Sequence, residues 1–270
     1  FNGEIYNYKE VREKLKEKGI NIKTNSDSEV LLESYQLWGN KFLGEINGMF
    51  AIAIYNKKTK KIKLIRDRFG IKPLYFSMTE KNFIFSSEIK SLIESQLVDK
   101  KVNFDAISSY LSFRYPYGVG TFFEKISSVE PGEILEFYNG KINREKYWDI
   151  PFINSTEDKG ENYYLEEMKD TFEKVMKDHL VSDVPVGALL SGGLDSSLMV
   201  ALMSQFSNNR NKTFSASFDV KEYDENVYAE NVAKQFECEH LNINLSSKNY
   251  INDFEKIIED KSLPLSIPHE

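Results

Sequence analysis

Residues 191–197 read SGGLDSS and lie between the apolar run VPVGALL and the apolar run LMVALMSQF. A turn followed by a helix N-cap would need one glycine and one serine or aspartate, because Asp and Ser commonly begin helices. This segment holds more glycine and serine than such a turn requires. Glycines let backbone N–H groups approach a ligand closely, and a helix N-terminus carries partial positive charge. The segment therefore predicts a loop that binds an anion.

The same segment resembles the pyrophosphate-binding loop of the N-type ATP pyrophosphatases, whose core reads SGGxDS. It is neither the GxxxxGK[ST] loop of P-loop proteins nor the GxGxxG loop of dinucleotide folds. The resemblance implies ATP as a substrate, split between its α and β phosphates. A carboxylate beside phosphates also indicates Mg²⁺, which binds both groups, so Asp195 is the expected metal ligand. The expected ATP-binding residues are Leu190, Ser191, Gly192, Gly193, Asp195, Ser196 and Ala216.

The elements around this loop alternate between buried strands and helices. VGALL, TFSASF and HLNINL read as strands, and helices are expected from Asp195, around ENVYAENVAKQF and around YINDFEKIIED. Such alternation is typical of an α/β doubly wound parallel sheet. Ligands in these sheets bind at the carboxyl ends of strands, and SGGLDSS follows the first strand at that end. TFSASF is expected to bring Ala216 and Ser217 toward the adenine.

The first half of the chain has a different pattern. Helices are predicted over Tyr8–Gly19 and Asn25–Gly39, where capping residues or glycine mark the ends. MFAIAIYN, KIKLIRD, PLYFSM and NFIFSS then read as antiparallel strands, and EIKSLIESQ returns to helix. These elements predict an α+β layered domain over residues 1–150, a linker over 151–162, and the α/β domain over 163–270.

Five motifs occur in order in the first domain: FNGEIYNYKEV, NSDSEVLLESY, FLGEINGMFAIAIYN, RDRFGIKPLYF and FSSEIKSL. With HLVSDVPVGALLSGGLDSS, they resemble the glutamine-hydrolysing asparagine synthase family, in which a class II glutamine amidotransferase domain precedes an ATP pyrophosphatase domain. The resemblance covers essentially the whole chain. It implies an α+β glutaminase domain of the N-terminal nucleophile hydrolase type, with αββα layers, followed by an α/β synthetase domain with a doubly wound parallel sheet.

The resemblance also implies roles for residues near the start of the chain. In the family, an N-terminal cysteine attacks the side-chain amide of glutamine. Asn2, through its side-chain amide, and Gly3, through its backbone N–H, match the donors that hold the oxyanion. Glu4 and Asp27 match the acids that bind the amino-acid head group of glutamine; helix capping is the alternative for Asp27. The nucleophilic cysteine is not in this chain and is expected upstream.

Composition argues against several other classes of protein. The formal net charge of −7 is unlike that of a nucleic-acid-binding protein. The basic run Asn56–Lys61 is expected to be a solvated hairpin turn. The one cysteine, Cys238, excludes a disulfide framework and is expected to be packed and inert. No signal peptide and no apolar run of about 18 residues is present, which predicts a cytoplasmic protein without membrane contact.

The histidines do not form a metal site by spacing. His240 begins a strand and is expected to be structural, and His179 and His269 have no partner at metal-binding spacing.

The resemblance implies glutamine-dependent amidation of aspartate to asparagine through β-aspartyl-AMP, with glutamine, aspartate and ATP as small-molecule partners. A homodimer is also expected. Both ends of the sequence read as cuts through a longer protein. Two alternatives stay open at this point: a related amidotransferase acting on another carboxylate, with PLSIPHE (Pro264–Glu270) in the region of acceptor specificity, or a non-catalytic paralogue with a degenerate glutaminase site.

Overall fold

The structure, a computed structural model, describes residues 1–152, 157–207, 210–218, 225–245, 247–262 and 264. The chain forms two compact units, one made of Phe1–Phe152 with Lys256–Glu270 and the other of Ile153–Glu255. His269, part of the predicted linker (153–156) and all of PLSIPHE except Pro264 lie outside the described residues. Within the described ranges, no helix combines the length and the apolar character needed to cross a membrane.

The first unit contains two antiparallel sheets, with strand orders β1-β2-β3-β7-β8 and β5-β4-β6. The strands are β1 (Asn2–Ile5), β2 (Gly48–Tyr55), β3 (Ile62–Arg66), β4 (Tyr75–Met78), β5 (Phe83–Ser86), β6 (Ser127–Ser128), β7 (Glu133–Tyr138) and β8 (Lys141–Lys146). The helices are α1 (Tyr8–Glu17), α2 (Asp27–Trp38), α3 (Ile89–Glu94) and α4 (Phe104–Phe113), with a short 3₁₀ helix over Gly39–Gly44.

The five-stranded sheet is buried on both faces, because successive side chains of a strand point to opposite sides. Phe50 and Ile52 of β2 enter a core that α1 and α2 cover. Ala51, between them, enters a second core shared with Phe76 of β4. The other sheet in turn packs against α3 through a core that contains Leu92. The layers are therefore helix, sheet, sheet, helix, and the predicted αββα class is confirmed.

The segment RDRFGIKP, which follows β3, is folded around a buried carboxylate. Asp67 is 1% exposed, and a buried charge is tolerated when hydrogen bonds satisfy it. Its carboxylate accepts from the backbone N–H groups of Phe50, Phe69, Ile71 and Lys72. The contact with Phe50 also ties this loop to β2, the strand that pairs with β1.

The second unit contains a parallel sheet with strand order β11-β10-β9. Its elements are α5 (Glu161–His179), β9 (Gly187–Leu189), α6 (Leu194–Phe206), β10 (Lys212–Phe218), α7 (Asn226–Gln235) and β11 (Glu239–Leu245), and α8 (Ser247–Lys261) follows β11. A core of Leu190, Val200, Ala229, Ala233 and Cys238 joins the sheet to α6 and α7. Strands alternate with helices as predicted, which confirms the α/β class.

Two smaller predictions are also confirmed. Asn56–Lys61 is an exposed turn between β2 and β3, and the Asn56 side chain accepts hydrogen bonds from the N–H groups of Lys58 and Thr59. Cys238 is packed in the core of the second unit, and burial raises the pKa of its thiol. A thiol held protonated is a poor nucleophile, so this cysteine is not suited to attack glutamine.

Candidate functional site

Asn2, Gly3 and Glu4 lie on β1, which is the edge strand of the five-stranded sheet. Their Asn-Gly pair is not a hairpin turn, since both residues pair with β2, opposite Ala51 and Phe50. Gly3 has φ of +149°, and a Cβ at this position would collide with the Met49 carbonyl of β2. Only glycine fits this close strand contact.

The N–H of Gly3 points away from β2. Hydrogen-bonded positions alternate along an antiparallel pair, and here the Tyr6 N–H donates to the Asn47 carbonyl at 2.8 Å. Phe50, which faces Gly3, directs its N–H and carbonyl to Asp67 on its other side. The Gly3 N–H therefore lies at the open edge of the sheet, where it can bind an incoming acceptor.

The Asn2 side chain is held by a serine from a distant part of the sequence. Its Nδ2 donates to the Ser87 Oγ at 3.2 Å. An amide nitrogen carries two hydrogens, so the second stays available for a ligand. Ser87 lies in the FSSEIKSL motif, and the motif alone predicts no role for it. No local pattern connects it to Asn2, because the two residues are brought together by the fold.

Asp27 lies next to the same strand edge. Its Oδ2 accepts from the Ile5 N–H at 3.3 Å. The Ile5 N–H points away from β2, as the Gly3 N–H does, because the two residues occupy equivalent positions in the alternating pattern. The capping alternative is wrong: the N-cap of α2 is Ser26, whose side chain accepts from the Ser28 N–H. The structure thus brings Asp27 to the open edge of β1, beside the residues that the sequence analysis grouped with it.

Glu4 is exposed on β1. Together with burial and the Asp67 charge, which act more strongly, its negative charge raises the pKa of Tyr6. Among the described residues, the Glu4 carboxylate has no hydrogen-bond or ion-pair partner. It is therefore free to bind a cationic group such as an α-ammonium.

The SGGLDSS segment connects β9 to α6. The Leu190 N–H still donates to the Phe214 carbonyl of β10 at 2.8 Å, as a strand residue would. The chain then turns, and Ser191 Oγ accepts from the Gly193 N–H and contacts Ser196 Oγ at 3.0 Å. The loop thus lies at the carboxyl end of a parallel strand and runs into a helix, as predicted.

Position 192 requires glycine, both because of its backbone conformation and because of the atoms packed against it. Its φ is +85°, and an added Cβ would lie 2.5 Å from both the Ala229 nitrogen and the Tyr228 Cβ of α7. The loop backbone therefore approaches α7 more closely than any side chain would allow.

The N-terminus of α6 offers donors for an anion. Gly193 is its N-cap, and no side chain caps the helix. The first turn contains Asp195 and Ser196, and the N–H groups of a first turn have no partner within their helix. The Ser196 Oγ donates to the Gly193 carbonyl at 3.2 Å, which stabilises the turn.

Ala216 and Ser217 do not face the same side of the sheet. Ala216 is exposed, whereas Ser217 is 6% exposed on the opposite face of β10. The two side chains therefore do not face one ligand together, because neighbouring residues of a strand alternate between faces, whereas a backbone contact of this strand with adenine stays a prediction. Ala216 alone remains a candidate for that contact.

His240 has a defined structural environment. Its Nδ1 lies 2.9 Å from the Thr213 Oγ1 and its Nε2 lies 3.0 Å from the Ser215 Oγ. A structural role for His240 was expected from the sequence. Its partners, Thr213 and Ser215, lie on the neighbouring strand β10 and could not be identified from the sequence. Across the part of the chain described, no three His, Cys, Asp or Glu residues cluster as a metal-binding group. Within the described residues, Asp195 is therefore not part of a metal-binding group of three or more such side chains.

Comparison with known families assigns both halves of the chain. The family described as Glutamine amidotransferase domain matches residues 1–148, and the family described as Asparagine synthase matches residues 167–270. The chain is 36% identical over 271 residues to asparagine synthetase [glutamine-hydrolyzing] 1 of Bacillus subtilis, covering 99% of this chain and 42% of that protein.

A relative from Methanocaldococcus jannaschii, which carries the provisional name asparagine synthetase [glutamine-hydrolyzing] 2, is 36% identical over 270 residues. That match covers 97% of this chain and 50% of the relative. The chain therefore spans half or less of the length of these two relatives. It belongs to the glutamine amidotransferase domain family over residues 1–148, and its residues 167–270 match the family described as Asparagine synthase.

Proposed function

We propose that the full-length protein containing this chain is an asparagine synthase that uses glutamine as its nitrogen donor. It consumes ATP, amidates aspartate, and releases AMP, pyrophosphate and glutamate. The relatives named asparagine synthetase [glutamine-hydrolyzing] support this proposal, as do the two family matches. The single observation that carries the ATP-dependent half is the Ser191–Ser197 loop, whose Gly192 admits no side chain and which leads into an uncapped helix.

In the first unit, Asn2 and Gly3 act on the amide carbonyl of glutamine. The proposed nucleophile is a cysteine of the full-length protein that lies outside residues 1–270. When its thiolate attacks this carbon, the carbonyl oxygen becomes an oxyanion. The second Asn2 Nδ2 hydrogen and the edge N–H of Gly3 donate to that oxygen, and such preorganised donors stabilise the transition state more than the ground state. Collapse of the intermediate breaks the carbon–nitrogen bond, releases ammonia with a proton from its surroundings and leaves a thioester on the cysteine. Water then hydrolyses the thioester, which releases glutamate and frees the thiol. Glu4 and Asp27 bind the head group of the glutamine.

In the second unit, the loop binds the phosphates of ATP. An oxygen of the aspartate β-carboxylate attacks the α phosphorus, and the bond from that phosphorus to the pyrophosphate oxygen breaks. The first-turn N–H groups of α6 and the hydroxyls of Ser191 and Ser196 hold the departing pyrophosphate. Leu190, Gly192, Gly193 and Ala216 complete the ATP contacts. Ammonia then attacks the acyl carbon and AMP leaves with the former carboxylate oxygen.

Asp195 fits the role of a Mg²⁺ ligand. Its carboxylate is exposed in the first turn of α6, and no hydrogen bond or ion pair occupies it within the described residues. Mg²⁺ is usually bound by one or two carboxylates together with substrate phosphates, which suits a site with one acid. When bound, the cation would neutralise negative charge on the phosphates.

Several features belong to the same proposal. The domain limits 1–150 and 163–270, with a linker over 151–162, are supported by family matches over residues 1–148 and 167–270. A cytoplasmic location and a homodimer remain predictions, as does the absence of nucleic-acid and membrane partners.

The proposal is tested by replacing Asp195 in the full-length protein. We expect Asp195→Ala to lower aspartate-dependent pyrophosphate release by about 10²-fold or more, since a charge-neutralising contact in the reaction is lost. Hydrolysis of glutamine to glutamate should stay near the wild-type rate. The matched control is Asp105→Ala, which removes an acid from the first turn of α4. Unchanged pyrophosphate release in the Asp195 variant would contradict the metal role, and a wild-type protein that makes no asparagine would contradict the function.

A further inference from the structure

Four groups in the second unit form a continuous chain of hydrogen bonds. Thr213 Oγ1 contacts His240 Nδ1 at 2.9 Å, and His240 Nε2 contacts Ser215 Oγ at 3.0 Å. The Ser215 hydroxyl then donates to the carbonyl of Leu190 at 2.9 Å. Leu190 is the residue immediately before the Ser191–Ser197 loop, so this series of hydrogen bonds ends at the residue that precedes the loop.

The last contact determines the direction of the others. Ser215 has one hydroxyl hydrogen, and it is directed to the Leu190 carbonyl, so its oxygen accepts from His240 Nε2–H. A neutral histidine with hydrogen on Nε2 has an acceptor at Nδ1, which the Thr213 hydroxyl fills. With the ring in this neutral form, every hydrogen in the series points toward Leu190, and the ring donates at Nε2 and accepts at Nδ1.

The Ser215 hydroxyl replaces a sheet hydrogen bond at the point where the strand ends. The Leu190 N–H donates to the Phe214 carbonyl, and a continuing parallel ladder would next bring the Ala216 N–H to the Leu190 carbonyl. The Leu190 carbonyl instead accepts from a side chain. The peptide group that links Leu190 to Ser191 is thus oriented by Ser215 and, through Ser215, by His240.

Burial makes this arrangement costly unless it is complete. Leu190 is 1% exposed, Thr213 is 0% exposed and Ser215 is 8% exposed. Apolar side chains at these strand positions would fill the same space without any need for partners. A buried polar group without a partner destabilises the fold, so a series of buried polar groups is tolerated only where every member has a hydrogen-bond partner.

We infer that His240 is a positioning residue for the phosphate-binding loop: by holding Ser215, it sets the orientation of the Leu190 peptide and hence of the Ser191–Gly193 backbone. The inference rests on the proposed use of ATP at this loop. His240 does not touch the substrate in this role. Replacing His240 changes the orientation of the first peptide group of the loop and lowers the affinity of the loop for the β and γ phosphates of ATP.

The test compares two replacements of His240 in the full-length protein, assayed by aspartate-dependent pyrophosphate release with ammonium as nitrogen donor. A glutamine amide can place an N–H where Nε2–H lies, whereas the shorter asparagine amide cannot reach Ser215. We expect His240→Asn to raise the KM for ATP and the inhibition constant of pyrophosphate about fivefold, the loss that follows from one hydrogen bond. His240→Gln should restore both values to within about twofold of wild type. Ser215→Ala should repeat the His240→Asn effect.

A matched control lies beside His240 on the same strand. Glu239 pairs with Lys212 at the amino ends of the strands, away from the loop, and Glu239→Gln should leave both constants unchanged. A purely structural role for His240 would lower the yield of active enzyme, and hence the maximal rate, without changing the KM.

Each outcome decides the inference. Equal KM values in the asparagine variant and the wild type would overturn it, as would equal defects in the asparagine and glutamine variants. If His240→Asn does not fold, Ser215→Ala decides, because it removes the same final contact to Leu190. A wild-type protein that releases no pyrophosphate would contradict the proposed function instead, so the two failures are distinct.

Discussion

Asn2 can serve an oxyanion only if its amide presents nitrogen, and not oxygen, toward the ligand. The contact from its Nδ2 to Ser87 Oγ holds the side chain in one orientation and leaves one N–H unused. Gly3 supplies the second donor from the backbone, where no rotamer needs to be ordered. At the scale of single residues, the proposed glutaminase site therefore depends on one oriented amide and one edge N–H.

Replacing Asn2 should separate the two nitrogen sources. We expect Asn2→Ala in the full-length protein to lower the kcat for glutamine by about 10²–10³-fold, because one oxyanion donor is lost. Asparagine formation from ammonium should stay near wild type, since ammonium bypasses this site. Steady-state rates with each donor measure the effect, and Asn143→Ala, an exposed change on β8, is the control. Equal losses with both donors would mean that Asn2 is structural.

At the scale of elements, the junction of β9 and α6 depends on close packing against α7. Gly192 lies where a Cβ would contact the α7 backbone, whereas a Cβ on Gly193 would meet only the Ser191 Oγ at 3.4 Å. The two adjacent glycines therefore differ in how strictly the structure requires glycine at each position. Gly192 is needed for the fold of the loop, and Gly193, with φ of −70°, has an ordinary backbone conformation.

This difference predicts unequal effects on stability. Gly192→Ala should destabilise the second unit by about 2–4 kcal/mol, through positive φ and overpacking together. Its calorimetric unfolding transition should fall by roughly 5 °C or more. Gly193→Ala should cost less than about 1 kcal/mol. Calorimetry of the full-length variants measures both, and similar melting temperatures for the two would show that the loop can move away from α7.

At the scale of the whole molecule, the two reactions are assigned to different compact units. Asn2 belongs to the unit of Phe1–Phe152 with Lys256–Glu270, and Asp195 belongs to Ile153–Glu255. Each unit has its own hydrophobic cores, formed by different residues. The two sites therefore have separate structural support.

Separate support predicts that defects in the two sites are independent. The double variant Asn2→Ala/Asp195→Ala should hydrolyse glutamine at the rate of Asn2→Ala alone, within about twofold. With ammonium as donor, it should release pyrophosphate at the rate of Asp195→Ala alone. Both rates are measured on the same preparations of full-length protein. A glutaminase rate well below that of the single variant would show that the units depend on each other for their basal reactions.

The sequence by itself determined the local elements and the position of the proposed phosphate loop between a strand and a helix. The Ser26 cap, the Val11 and Leu15 spacing of α1, and the strand–glycine–helix order around Ser191 are contained in short segments. A short pattern alone does not distinguish two structures when the partner is distant in sequence. The Asn139–Gly140 pair forms the tight turn between β7 and β8, whereas Asn2–Gly3, the same dipeptide, is part of a strand.

Only the tertiary structure decided which atoms meet. Ser87 reaches Asn2 across 85 residues, and His240 reaches Thr213 and Ser215 because β11 pairs with β10 in one register. The direction of the Gly3 N–H likewise depends on the alternation of hydrogen bonds with β2, and a shift of one residue would turn it inward. These features depend on strand register and packing between distant segments. Local sequence patterns carry no information about strand register or about packing between distant segments, so only the tertiary structure determines these contacts.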